Sequence, residues 1–314
     1  MDAPEHPAFR AMTQAWFLPA NLRKREERIR VMARASLTHM LATGGACDFV
    51  KDVALYCPLH VIMDILGVPE ADEPLILRLT QEVFGSDDED QGTVSLGPDG
   101  TFRRLNAYFS AIVDDRRQVK TDDLATVLAN ARFGDAPVPD LELLSYFVTV
   151  ATAGHDTTSS LTAGAVQQLA EDPALLARVK ADPSLIAGLV DETIRWTTPV
   201  QHFMRTAVED YELRGRAIRA GDWLMLCYPS GNRGEEVFEA PSSFRIDRSP
   251  NRHLAFGYGA HLCLGQHLAK LEMRILFEEL LPHISTLELA GEPRRTEAVF
   301  VGGLKTLPIR FTTH

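Results

Sequence analysis

The first residue of this chain that calls for chemistry is a cysteine set among glycines. In FGYGAHLCLG (256–265), Cys263 stands with Phe256, Gly257, Gly259, His261 and Gly265, and QHLAKLEMRILFEELL follows at once with helical spacing. A sulfur just ahead of a helix is more easily kept as a thiolate, because the first turn points unpaired N–H groups at it. Glycines let backbone N–H groups come close. A second constellation, AGHDTTSS (153–160), sets the carboxylate of Asp156 beside the hydroxyl of Thr157. A third, DETIRW (191–196), puts Glu192 and Arg195 on one helix face. By spacing alone that pair reads as a surface ion pair, worth under about 1 kcal/mol.

These residues need elements to hold them, and the pattern is mostly helical. Residues 22–41 carry apolar positions at helical spacing with a charged opposite face. VALYCPLHVIMDILGVPE (53–70) reads as a helix stopped near Gly67 and Pro69. The acidic, turn-rich stretch 86–100 reads as a loop. Residues 140–170 form one long helical candidate, apolar on nearly every side and so expected to be central. Its middle, AGHDTTSS, is poor helix-forming sequence, which predicts an opening there for a ligand. Residues 172–199 read as two helices, each begun by an Asp-Pro pair. Residues 205–228 and 299–311 turn to β character. The fold class expected is mainly α with a minor β region, in one domain.

Composition removes several classes of function. The chain has 314 residues, 45% of them hydrophobic, and a net charge of -11. The acidity argues against nucleic acid and against an anionic membrane surface as partners. No apolar run approaches the roughly 20 residues of a membrane span, and the N-terminus lacks the apolar core of a signal peptide. A cytoplasmic location is expected. The four cysteines, Cys47, Cys57, Cys227 and Cys263, show no C-x-x-C spacing. Cys47, Cys57 and Cys227 sit among apolar residues and read as small core side chains. No G-x-S-x-G elbow, H-E-x-x-H or Walker loop occurs, and GYGAHL (257–262) has Leu262 where a dinucleotide loop needs glycine. His261, Cys263 and His267 are too few for structural zinc. A lone thiolate in such a loop can instead be the axial ligand of a haem iron. A central helix opened in its middle could cross the other haem face.

Four separated motifs, in order, carry a resemblance: APEHPAFR (3–10), AGHDTT (153–158), ETIR (192–195) and FGYGAHLCLG (256–265). With them the chain resembles the cytochrome P450 family of haem-thiolate monooxygenases over essentially its whole length. TAGHDTTSS, FMRTA and PNRHLAFGYGAHLCLGQHLAKLEM are similar to the soluble bacterial branch that includes the alpha-terpineol hydroxylase.

The resemblance implies the cytochrome P450 fold as a single haem-binding monooxygenase domain over 1–314, lacking the family's first helices and part of its larger sheet. It implies haem b with Cys263 as the iron ligand and Phe256, Gly257 and Gly265 around the sulfur. His6, Arg10, Arg205 and His261 match contacts to the haem propionates, and Gly154 belongs to the oxygen-side helix. Asp156 and Thr157 match the acid–alcohol pair that relays protons. Glu192 and Arg195 match a structural pair, with Arg248 as its third member. Val150, Ala151, Val200, Phe203, Phe300 and Val301 match substrate-facing positions. The implied reaction is hydroxylation of a C–H bond in a small apolar molecule, terpenoid or similar, with dioxygen and electrons from a ferredoxin-type donor and its reductase. The alternative expectation is a truncated haem-binding remnant without turnover.

Overall fold

A computed structural model describes residues 1–84 and 100–314. The expected loop 86–100 therefore lies outside the described residues except for Gly100. Among the described residues the helices are α1 (Glu5–Thr13), α2 (Pro19–Leu41), α3 (Tyr56–Leu66), α4 (Glu73–Phe84), α5 (Thr101–Gln118) and α6 (Leu124–Ala129). They continue with α7 (Asp140–Glu171), α8 (Pro173–Ala181), α9 (Ile186–Thr197), α10 (Tyr228–Gly231) and α11 (Gln266–Leu280). None is long and apolar enough to cross a membrane.

The strands are short. β1 (Ala46–Asp48), β8 (Ile284–Leu289) and β11 (Pro308–Thr313) make an antiparallel sheet in the order β1-β11-β8, with Cys47 opposite Ile309 and Phe311 opposite Leu287. The others are two-stranded: β2 (Arg132–Phe133) with β3 (Ala136–Pro137), β4 (His202–Thr206) with β7 (Trp223–Cys227), β5 (Tyr211–Leu213) with β6 (Arg216–Ile218), and β9 (Arg294–Arg295) with β10 (Leu304–Thr306). The mainly α expectation with a minor β part holds.

Local chemistry sets the boundaries. Asp172 accepts from the N–H groups of Ala174 and Leu175, and Asp182 accepts from that of Ser184, so each Asp-Pro pair opens a helical segment. α3 ends at Gly67, which takes φ 68° and donates to the Asp64 carbonyl. A Cβ there would also stand 2.2 Å from the Asp123 carboxylate.

α7 runs through the core and packs against α3, α4, α5, α9 and β8. The expected opening at its centre is absent, for the helix is continuous from Asp140 to Glu171. Its hydroxyls lean back on carbonyls one turn earlier without displacing the helical bonds. Thr152 donates to Val148 at 2.8 Å, Thr157 to Ala153 at 3.1 Å and Ser160 to Asp156 at 2.9 Å. Gly154 is explained by packing, because a Cβ there would lie 2.4 Å from Ile62 of α3.

The cysteines divide differently from expectation. Cys57 is buried, Cys47 is half-buried and Cys227 is exposed. Cys227 ends β7, whose ribbon with β4 leaves Phe203, Met204, Trp223, Met225 and Leu226 largely in solvent, so apolar neighbours in sequence do not make a core there. Burial pushes the Cys47 and Cys57 thiols up to about 12.

Glu272 of α11 is buried, and neither carboxyl oxygen has a hydrogen-bond partner. Burial pushes its pKa well above the usual 4.5. The folded chain therefore keeps the proton that the unfolded chain gives up. This carboxyl favours folding fully below the unfolded value, and the contribution falls as pH rises toward the folded value. Glu272→Gln removes the slope. In urea unfolding from about pH 4 to pH 8, the stability of the variant relative to wild type should climb by up to about 1.4 kcal/mol per pH unit above the unfolded value. A difference independent of pH would contradict this.

Candidate functional site

The thiolate loop is organised by its own backbone. The N–H of Cys263 donates to the Phe256 carbonyl at 2.8 Å, that of Gly257 to Leu254 at 2.8 Å and that of Leu262 to Gly259 at 3.1 Å. Gly257 and Gly259 take φ 71° and 77°, which closes the turn that returns the chain to Phe256. The Cys263 sulfur lies near the backbone N–H groups of Gly265 and Gln266, at the start of α11. Burial pushes this thiol up, while those two N–H groups and the nearby Arg10 guanidinium pull it down. Phe256 meets His253 at 5.7 Å between ring centroids and faces the Lys270 ammonium at 6.0 Å. Burial holds His253 neutral, with its pKa lowered to about 4.

The nitrogen side chains named from sequence gather beside the loop. The His6 and His261 rings stand 4.1 Å apart, and His261 Nε2 lies 2.8 Å from the Asp2 carboxylate. Burial, His261 and Arg10 lower the pKa of His6. The His261 hydrogen bond lowers that of Asp2, with a smaller contribution from Arg205. Arg205 spends one N–H on the Met204 carbonyl at 2.8 Å. His6, Arg10, Arg205 and His261, from α1, β4 and the loop, thus gather into one cluster of nitrogen side chains in which His261 already holds a carboxylate. Asp2 was not foreseen, since a lone N-terminal aspartate gives no signal.

On α7, Ala153 is exposed while Ala151, Thr152 and His155 are buried. Asp156 and Thr157 are half-buried, and Asp156 Oδ2 has no hydrogen-bond partner. Val150 and Ala151 are buried on the same helix. The other apolar positions meet one another. Val200 and Val301 form an isolated antiparallel bridge, the Gln201 N–H donates to the Phe300 carbonyl at 2.9 Å, and the Phe203 and Phe300 rings meet edge-on at 5.3 Å. A Cβ on Gly303 would stand 2.1 Å from the Ser160 hydroxyl, which shows how closely this segment lies on α7. A cleft of about 330 Å³ bordered by Gly164, Trp196, Gln201 and Arg233 contains none of the residues named for chemistry, so volume alone does not find the site.

Glu192 and Arg195 are both completely buried, against the surface reading that spacing alone suggests. Arg195 makes a two-pronged bond to Glu192 at 2.8 and 2.7 Å, and donates to the carbonyls of Asn232, Pro241 and Ser243 at 2.9, 2.9 and 3.1 Å. Glu192 also accepts from the Arg248 guanidinium at 3.2 Å, the Arg245 N–H at 2.8 Å and Asn251 at 3.0 Å. Arg248 is thus the third charge of the group. Asn232 and Asn251 were missed, because an isolated asparagine carries no pattern.

A family profile described as "Cytochrome P450" matches residues 99–309. Cytochrome P450-terp of a Pseudomonas species is 52% identical, across 99% of this chain and 75% of its own length. The chain belongs to the cytochrome P450 family. Among solved structures, CYP108D1 from Novosphingobium aromaticivorans superposes with a TM-score of 0.92 at 49% identity, covering 100% of this chain and 75% of the other. CYP268A2 of Mycobacterium marinum, solved in complex with pseudoionone, gives 0.92 at 32%, covering 99% and 76%. This P450 is a monooxygenase of the oxidoreductase class, and the family binds haem.

The residues present fit that group. The donor set offers one sulfur whose thiolate form the nearby N–H groups of Gly265 and Gln266 and the Arg10 guanidinium favour against burial. The glycines beside it leave room, for a Cβ on Gly259 or Gly265 would meet nothing within 4 Å. The two arginines and two histidines gathered around the Asp2 carboxylate have the chemistry for propionates.

Removing one partner of the buried pair strands the other. Glu192→Ala leaves Arg195 and Arg248 without their counter-charge, and should cost about 3–5 kcal/mol in denaturant unfolding. Arg195→Lys should fail to restore stability, since three N–H groups on a flexible stem cannot match the planar fork. A loss under about 1 kcal/mol in both variants would return the pair to the surface class.

Proposed function

We propose that this P450 binds haem b through Cys263 and hydroxylates a C–H bond of a small apolar substrate of terpenoid type. In this reading it is a single cytoplasmic domain that takes electrons one at a time from a ferredoxin-type donor with its reductase. The observation that carries the proposal is Cys263 held by its own N–H on the Phe256 carbonyl in a glycine turn just ahead of α11. Bound haem supplies the iron centre at which dioxygen is activated.

The protein's own contribution divides by position. Cys263 holds the iron, and the two N–H groups temper the negative charge of its sulfur. Phe256, Gly257 and Gly265 wall the sulfur from water. His6, Arg10, Arg205 and His261 pair with the propionates, taking the place that Asp2 occupies here. Asp156, whose buried Oδ2 is unpartnered, would serve as the acid, and the neighbouring Thr157 hydroxyl would pass the proton on. Gly154 lets α7 lie close to α3 and so sets the depth of that helix. Val150, Ala151, Val200, Phe203, Phe300 and Val301 present hydrocarbon to the substrate, which suits a compact apolar molecule. The relative named P450-terp and the neighbour solved with pseudoionone support the terpenoid class.

The spectrum of the reduced, CO-bound protein tests the ligand. The wild type should show the far-red-shifted Soret band of thiolate ligation. Cys263→Ser should abolish it, whereas Cys47→Ser and Cys57→Ser should not. A band that survives Cys263→Ser would sink the assignment.

Turnover with a ferredoxin, its reductase and candidate terpenoids tests the relay. Thr157→Ala should still consume NAD(P)H and dioxygen but release more peroxide and less product, because protons reach the wrong oxygen. Asp156→Asn should slow turnover and enlarge the solvent isotope effect. Wild-type coupling in both variants would refute the relay, and haem binding without product from any terpenoid would refute the hydroxylase reading.

A further inference from the structure

His155 lies between Gly154 and Asp156 and is completely buried. Its ring joins two helices. Nδ1 stands 3.0 Å from Oδ1 of Asp156, and Nε2 stands 2.7 Å from the hydroxyl of Thr80 on α4. Thr80 is also completely buried, with its hydroxyl 3.0 Å from the carbonyls of Ile76 and Leu77. The Nδ1–Oδ1 approach is close but not aligned, so Nδ1 lacks a hydrogen-bond partner; Asp156 Oδ2 lacks one too, and both atoms are shut off from water.

Proton balance decides how this group is arranged. A neutral imidazole has one N–H and one lone pair. With the proton on Nε2, the lone pair of Nδ1 would face a carboxylate oxygen, pressing two acceptors together away from water. With the proton on Nδ1, Asp156 gains a donor and Nε2 becomes an acceptor. The Thr80 hydroxyl is the donor within reach. The carbonyls of Ile76 and Leu77 lie within α4, where helical N–H groups serve them, so the hydroxyl is free to turn to the ring.

We infer that Thr80, His155 and Asp156 form one hydrogen-bonded chain, Oγ1–H to Nε2 and Nδ1–H to Oδ1, in which Thr80 and His155 are positioning residues for the carboxylate. The inference rests on the reading of Asp156 and Thr157 as proton carriers. It adds that Oδ1 is engaged by the histidine while the buried Oδ2 is left without a partner. It adds too that α4, not α7 alone, sets the orientation of the acid. The logic is that of an outer residue fixing the tautomer of a histidine and, through it, the group that does the work.

NMR of isotope-labelled histidine in the diamagnetic, CO-bound ferrous holoprotein reads the tautomer directly. Wild type should show His155 protonated on Nδ1. Thr80→Val should release that tautomer, and with His155→Phe should lower product per NAD(P)H about tenfold while the CO-bound Soret band is kept. Thr80→Ser, which keeps the hydroxyl, should restore both tautomer and coupling. An Nε2–H tautomer in wild type overturns the inference, as does Thr80→Val with tautomer and coupling unchanged. The two readings fail separately. If Asp156→Asn remains coupled, the relay falls, while the tautomer still decides whether the hydrogen-bonded chain exists. If Asp156→Asn uncouples and the Thr80 and His155 variants do not, only the positioning role falls.

Discussion

The arrangement around Cys263 depends on a charged pair taken out of water. Removing Glu192 and Arg195 from solvent costs several kcal/mol per ion, and attraction offsets this only when the remaining donors and acceptors are also met. Here they are. Arg195 spends its planar fork on Glu192 and on the carbonyls of Asn232, Pro241 and Ser243. Those carbonyls belong to a stretch between α10 and α11 with no strand partners of its own. Buried carbonyls need donors, and one guanidinium serves in place of a ladder. The Arg245 N–H and Asn251 tie the same stretch to Glu192, and the Leu254 N–H closes onto Asn232 at 2.6 Å. The thiolate loop begins where this scaffold ends.

α7 answers the opposite requirement, since it must be buried and also carry polar chemistry. The hydroxyls of Thr152, Thr157, Ser160 and Thr162 solve the problem locally by donating to carbonyls a turn earlier, so they have partners without water. Asp156 Oδ2 and His155 Nδ1 are left over. The unspent acceptor lies beside Thr157 on the helix that a bound haem would face. An acid fully satisfied within the fold would be a poor carrier of protons.

Charge at the site also runs against the charge of the molecule. The chain carries a net -11, yet His6, Arg10, Arg205 and His261 converge beside the cysteine. The His261 hydrogen bond lowers the pKa of Asp2, and the Gly265 N–H and the Arg10 guanidinium pull against the burial that raises Cys263. A buried sulfur surrounded only by carbon would remain a thiol. The backbone N–H groups of α11 and the Arg10 guanidinium make a thiolate attainable.

Much of the molecule is written in short-range pattern. Apolar spacing placed the long helix at 140–170, Asp-Pro pairs opened the helical segments after it, and glycines marked the loop around Cys263. These features depend on neighbours a few residues away, so the linear sequence contains them. Other features belong only to the folded chain. The spacing of Glu192 and Arg195 is that of a surface pair, and burial became visible when residues 232–251 closed over it. AGHDTTSS suggested a broken helix, but packing on α3 and hydroxyl back-bonding keep it whole. Cys227 lies in a run of apolar residues and still faces solvent, because its ribbon has two exposed faces. His155 was in plain view within the motif, but its partner Thr80 lies 75 residues away on another helix. Sequence by itself determined the elements and the residue types able to do chemistry. Tertiary structure decided burial and partnership, because both depend on which distant segments exclude water from a group.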